Sequence, residues 1–146
     1  MNAPARSPAS VTAPARFRSR LVAGLLAFLV GFSGAHRRYL GARWWPVYPL
    51  IALPAIGFAL RAEPWYRHPG FFVASLVVVA AMLEAILFSI TPDERWDARY
   101  NAQAARRSQG GWPNVFVAIA ALLIGATLLM AVMALAFETM FLPEPV

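Results

Sequence analysis

From Val115 to Phe137 the chain runs for 23 residues without a charged side chain, and a run of that length has few places to go. Wound as a helix it is about 35 Å long at ~1.5 Å per residue, enough to cross the ~30 Å hydrocarbon core of a bilayer. Three further stretches are similarly apolar: residues 21–35, 44–60 and 70–90, the last block covering 112–142 around the uncharged run. Apolar residues gathered into blocks, and not spread with a helical period, argue for membrane-embedded segments over the core of a soluble domain. The 60% hydrophobic content, against the ~45–50% of a soluble domain, agrees. The expected fold class is an all-α integral membrane protein of three or four membrane-embedded helices with one short interfacial helix.

The blocks differ in quality. Residues 21–35 give about 22 Å of helix, short for a span. Three readings stay open for them: a re-entrant or shallow helix, a span lengthened by snorkelling of Arg18 and Arg20, or a signal peptide cut after Ser33-Gly34-Ala35. Gly24, Gly31 and Gly34 also suit close helix packing. Residues 44–60 open on Trp44, Trp45 and Tyr48, an interfacial aromatic belt, and then carry Pro46, Pro49, Pro54 and Gly57, which predicts a kinked or broken helix. Residues 70–90 are long enough to span, with Ala81 and Ala85 spaced for close contact. They hold one charge, Glu84, about 9 Å inside the end of the block, where an ionised carboxylate is costly unless it is paired or neutral. In the final block Ala121 and Gly125 form a small-xxx-small pair.

Between the last two blocks, Thr91-Pro92-Asp93-Glu94 reads as a helix start: Thr91 as N-cap, Pro92 at the first position, Glu94 closing a capping box. The helix is expected to reach about Arg107 and stop before Gly110-Gly111. Trp96 and Tyr100 share a face, with Arg95, Arg99, Arg106 and Arg107 as cationic anchors. That pattern suits a helix lying among lipid headgroups, a short solvated connector being the other reading.

Charge sets the orientation. The 13 basic residues, all arginine, exceed the 7 acidic ones, for a net charge of +6. They sit between the apolar blocks, as positive-inside bias requires, and no basic stripe interleaved with aromatics points to nucleic acid. Four spans from a cytosolic N-terminus would leave seven arginines outside. With residues 21–35 re-entrant and three spans, eleven lie inside and only Arg61 and Arg67 outside, the better arrangement. It brings His36, Arg37 and Arg38 to the same side as Glu84. Glu138 and Glu144 then fall outside. Residues 1–20, rich in Ala, Pro, Ser and Arg, are expected to be a disordered tail that sets topology and grazes anionic headgroups.

The stretch from Leu25 to Gly31, followed by Gly34-Ala35-His36-Arg37-Arg38-Tyr39-Leu40-Gly41, resembles the two-transmembrane (TM-two) domain, whose helices flank a His-Arg-Phe-Tyr-Leu-Gly-like link. Met82-Leu83-Glu84-Ala85 falls where that family carries an acidic residue, and the segment from Thr91 through Arg99-Tyr100-Asn101 looks like the ending of its bacterial members called NINE proteins. The resemblance covers about residues 21–101. Arg38 stands where an aromatic is usual, Glu84 replaces an aspartate, the middle region is long, and the final span lies outside the family domain. The resemblance implies a small integral membrane protein, its basic link facing the cytosol, in a bacterial inner membrane. It implies no reaction. The domain division expected is a tail (1–20), a TM-two-like unit (21–101), a connector (102–111), a C-terminal transmembrane helix (112–142) and a short tail (143–146).

The motif residues are His36, Arg37, Arg38, Tyr39, Gly41 and Glu84, and the central expectation is an ion pair or shared proton between Glu84 and one of His36, Arg37 or Arg38. As a packing pin it would fix two helices; as a proton or ion site it would serve translocation. The chain has no cysteine, His36 and His68 are expected on opposite membrane sides, and Ser33, Ser75 and Ser89 lack a base, so neither a metal site, a cofactor nor catalysis is expected. Two functions remain. One is a non-catalytic accessory module that binds a membrane partner or a second copy through small-residue faces and basic cytosolic elements. The other is a small transporter or channel-like subunit that uses Glu84.

Overall fold

The computed structural model describes residues 16–142, all-helical with no strand among them. Residues 1–15 and 143–146, and with them most of the expected tail and Glu144, lie outside the described residues. Six α-helices follow one another: α1 Arg20–Val30, α2 Ala35–Tyr39, α3 Val47–Ala59, α4 Pro69–Ile90, α5 Asp93–Tyr100 and α6 Trp112–Phe141, with 3-10 turns at Gly31–Ser33 and Trp65–Arg67. Two of them, α4 with 22 residues and α6 with 30, are long and apolar enough to cross a membrane; α1 and α3 are shorter apolar helices.

α4 is the axis of the fold, with α1, α3 and α6 packed antiparallel to it. Small residues set how closely they approach. A Cβ added at Gly31 would overlap Cβ of Ala81, one at Gly24 would lie 3.0 Å from Ser89 Oγ, and one at Gly125 would lie 3.0 Å from Met82 Cβ. Ala27, Ala85 and Ala121 are wholly buried between them. The small residues read in the sequence as faces for neighbours are thus consumed by packing within the chain.

α1 stops at Val30 because the chain turns through Gly31–Ser33 and reverses at Gly34, whose φ of 68° is in the left-handed region. α2 then returns along α1 until Tyr39 Oη accepts a hydrogen bond from Ser19 N at 2.7 Å and the Leu40 carbonyl accepts one from Arg18. Residues 21–35 therefore form the inward arm of a helical hairpin whose two ends meet, reaching only as far along α4 as Ala81. Gly41, φ 73°, turns the chain a second time. α3 carries it onward along α4 until the Ala55 carbonyl sits against Gly70.

Several expectations need correction. α3 is one continuous helix across Pro54, not a broken one. Pro46 is its N-cap and Pro49 falls in its first turn, where an N–H would have no intrahelical partner. α5 ends at Tyr100, well short of Arg107. The Thr91 capping box does not form: Thr91 closes α4, its Oγ1 donates back to the Leu87 carbonyl at 2.5 Å, and Pro92 is the N-cap of α5, with Glu94 exposed. The boundary at residue 20 also moves, since Arg18 and Ser19 are held by the fold and Arg20 begins α1.

Candidate functional site

Glu84 projects from α4 toward α2, and α2 presents two consecutive side chains to it. His36 Nε2 lies 2.6 Å from Glu84 Oε2. Arg37 Nε donates to both carboxylate oxygens, at 3.1 and 3.2 Å, and its terminal nitrogen also donates to Oε1. Adjacent residues on a helix point about 100° apart. Both reach one carboxylate because α2 packs back on α1 after the turn at Gly34 and its side chains bridge to α4, Glu84 sitting between them.

The histidine is completely buried, whereas the side chains of Glu84 and Arg37 are 16% and 36% exposed. Tyr48 closes the site from α3: its ring meets His36 edge-on at 5.2 Å, and the Arg37 guanidinium lies over its face at 5.1 Å. Phe88 flanks the imidazole at 6.1 Å. The His36 Nδ1 has no hydrogen-bond partner. A bare lone pair is tolerated there, whereas a buried N–H without an acceptor is costly. The geometry therefore assigns the Nε2–H tautomer, with Nε2 donating to Glu84. One carboxylate then faces one guanidinium and one imidazole ring.

The other motif residues act around this centre. Arg38 does not reach Glu84; it is exposed and lies over the Trp45 ring at 5.2 Å. Tyr39 ties the two ends of the hairpin together, and Gly41 supplies its second left-handed turn. Tyr48 was read in the sequence only as part of an aromatic belt. Its place between Pro46 and Pro49, in an otherwise apolar helix, is the signal for an inward role. His68 lies far from His36 and caps α4, its Nδ1 accepting from Gly70 N at 3.0 Å. No group of three or more His, Cys, Asp or Glu able to hold a metal occurs among the described residues.

A second polar centre lies at α5. Trp96, on the aromatic face read as belonging to a headgroup-level helix or a solvated connector, is 1% exposed and packs against Ala23 and Leu40. It turns inward because its Nε1–H donates to the Arg18 carbonyl at 2.8 Å. Asn101 pairs with the same peptide through both ends of its amide, accepting from Arg18 N at 2.8 Å and donating to the Arg18 carbonyl at 3.1 Å. Asp97 accepts from Asn101 Nδ2 at 2.8 Å, from Ser108 N at 2.8 Å and from Ser108 Oγ at 2.6 Å. Burial works to raise the Asp97 carboxyl, but these hydrogen bonds from Ser108 and Asn101, aided by the Arg107 charge, hold it below the usual range. Tyr100 packs on Trp96 with ring centroids 4.5 Å apart and the planes tilted by 46°, and Arg99 lies over Tyr100 at 5.4 Å. α5 is thus a clasp on the backbone that leads into α1, and not an amphipathic helix with its aromatics turned outward.

Compared with family models, curated proteins and solved structures, the chain matches none.

Proposed function

We propose that this chain is a small, non-catalytic, multi-pass integral membrane protein of a bacterial inner membrane that acts as an accessory or partner-binding module. In this reading the N-terminus and the Arg37–Arg43 link lie in the cytosol, α4 and α6 span, and α1 with α2 forms a re-entrant hairpin whose crossing α3 completes. The outward side of α6 supports it: Phe116, Ile119, Leu122, Leu123, Met130 and Met133 are all exposed and all apolar, a surface suited to acyl chains. The distribution of charge supports it too. Arg61 and Arg67 lie in the loop that joins the far ends of α3 and α4, and every other described arginine belongs to segments at the opposite end or to the hairpin. The TM-two and NINE-like motifs, including the Glu84 position, are part of the same proposal.

The observation that carries the non-catalytic reading is the saturation of Glu84. Both of its oxygens are engaged from α2, by a ring and a guanidinium that α3 covers with Tyr48. A carboxylate so held is a clamp between helices. With the small-residue faces consumed inside the fold, a partner would meet the basic cytosolic end or the outer face of α6. A cavity of about 400 Å³ beside Glu84, bordered by Arg37, Leu87, Arg99 and Tyr100, is what favours the second reading, a transporter or channel-like subunit.

One substitution separates the two. Glu84→Gln in the clamp reading lowers the thermal unfolding temperature of the purified protein and leaves liposome ion and proton flux at the level of empty vesicles for both forms. A flux present in the native protein and absent in a well-folded Glu84→Gln protein would replace the accessory reading with the transport one.

A further inference from the structure

α5 carries its charges on two opposite sides. Asp93 and Asp97 are one turn apart, as are Arg95 and Arg99, and the two pairs are offset by two residues, about 200° around a helix. The acids turn into the fold: Asp93 lies 3.2 Å from Arg20, and Asp97 accepts from Asn101 and Ser108. The arginines are left on the other side, exposed, and neither is ion-paired among the described residues. Like charges one turn apart repel, and nothing in the fold relieves this pair.

That side overhangs a groove. Arg95 and Arg99 border a cavity of about 500 Å³ in the corner between the end of α4 and α5. The cavity of about 400 Å³ beside Glu84 adjoins it, with Leu87, Phe88, Arg99 and Tyr100 lining both. Arg99 is steadied there over the Tyr100 ring at 5.4 Å, and Arg37 is already matched by Glu84. The apolar wall continues along one face of α4 through Ile90, Leu87, Leu83 and Leu76, all exposed. From Leu76 to Ile90 this stripe runs about 21 Å at ~1.5 Å per residue, more than the ~15 Å that one leaflet contributes to a ~30 Å hydrocarbon core.

The groove therefore asks for one molecule with an anion at α5 and an aliphatic chain along α4. A second copy does not fit, because the two-fold axis of a membrane dimer through this face would set Arg95 and Arg99 of one copy against those of the other. We propose that the groove seats an anionic phospholipid of the cytosolic leaflet, its headgroup at Arg95 and Arg99 and an acyl chain along Ile90, Leu87 and Leu83. α5 then has two jobs on two faces: its acids and Trp96 clasp the chain, and its arginines hold the lipid.

The inference rests on the membrane reading, and its test is separate from it. The full chain, in detergent, is titrated with short-chain phosphatidylglycerol, with phosphatidylcholine of the same acyl chains and with soluble glycerophosphoglycerol, and the bound fraction is read by native mass spectrometry. An arginine near an anionic headgroup is worth about fivefold in affinity. Retention of phosphatidylglycerol at least about fivefold above phosphatidylcholine is expected, with that preference lost in Arg95→Gln/Arg99→Gln. Arg38→Gln/Arg43→Gln removes two exposed arginines that border neither cavity and should keep it. All four side chains are exposed, so both variants keep the fold, which their thermal unfolding checks. Equal retention of the two lipids overturns the anionic lipid as occupant, and an equal loss in both variants overturns the site in favour of diffuse surface charge. Glycerophosphoglycerol binding as tightly as the lipid overturns the acyl seat on α4. Extraction of the chain from membranes by alkaline carbonate tests the membrane reading independently, whichever way the lipid titration falls.

Discussion

At the scale of single residues, Glu84 holds one turn of the chain against another, and its value lies in having two different partners. Glu84→Gln keeps an acceptor for one neighbour and strands the Arg37 charge; hydrogen bonds to charged groups are worth about 1.5–3 kcal/mol each. A loss of about 2–3 kcal/mol in unfolding free energy is therefore expected, less than for a wholly buried pair because Arg37 can turn to solvent. Arg37→Lys should lose much of the same stabilisation, since an ammonium cannot reproduce the planar two-oxygen contact. Nitrogen NMR of labelled His36 should find its hydrogen on Nε2 and a bare Nδ1. The depressed Asp97 carboxyl gives a pH dependence of defined sign. Its folded value lies below its unfolded one, so its contribution is complete above the ordinary carboxylate range and disappears as pH falls through the depressed value. Hydrogen exchange at the Ser108 amide should accelerate over that acidic window, and Asp97→Asn should abolish the dependence.

At the scale of elements, the hairpin turns on two left-handed glycines, Gly34 and Gly41. Gly41 is left-handed and lies against the Arg18 guanidinium, so Gly41→Ala should cost about 1–2 kcal/mol from the backbone conformation alone. Gly57 is helical, with open space around it. Gly57→Ala should instead stabilise by about 0.5–1 kcal/mol. Thermal unfolding of the two variants in one detergent checks both signs together. α5 shows why helix existence was legible and helix purpose was not. Asp93-Glu94 near its start, where the dipole favours acids, and the aromatic pair Trp96 and Tyr100 were readable. That Trp96 and Asn101 grip the peptide of Arg18, 78 and 83 residues away, was not, since an outward and an inward aromatic face have the same spacing.

At the scale of the whole molecule, the two arms of the topology meet again at the far end, where Arg67 on the α3–α4 side lies 3.3 Å from Glu138 near the end of α6. The pair is solvent-accessible and contributes about 0–1 kcal/mol, so Glu138→Gln should leave stability nearly unchanged. The side on which each end lies is open to direct measurement because the chain has no cysteine. Single cysteines at Ala42, Ala62 and Ala102, labelled from outside intact cells, should react only at Ala62. Labelling at Ala42 as well would mean that the first apolar block crosses the bilayer.

The sequence by itself determined the helical class and the two long apolar helices, because apolar runs constrain a chain locally; for the lone charge at Glu84 it offered three candidate partners, His36, Arg37 and Arg38, without choosing among them. It also marked Gly34 and Gly41 as the bounds of a motif, though not as the left-handed turns that shape it. Where the chain reverses after α1, where α5 ends, and which way Trp96 and Tyr48 face were decided by tertiary structure alone. Each depends on a partner supplied by a distant segment: Ser19 for Tyr39, the Arg18 peptide for Trp96 and Asn101, Ser108 for Asp97, and His36 for Tyr48. A periodic pattern records which side chains share a face; what that face meets is fixed only when the rest of the chain arrives there.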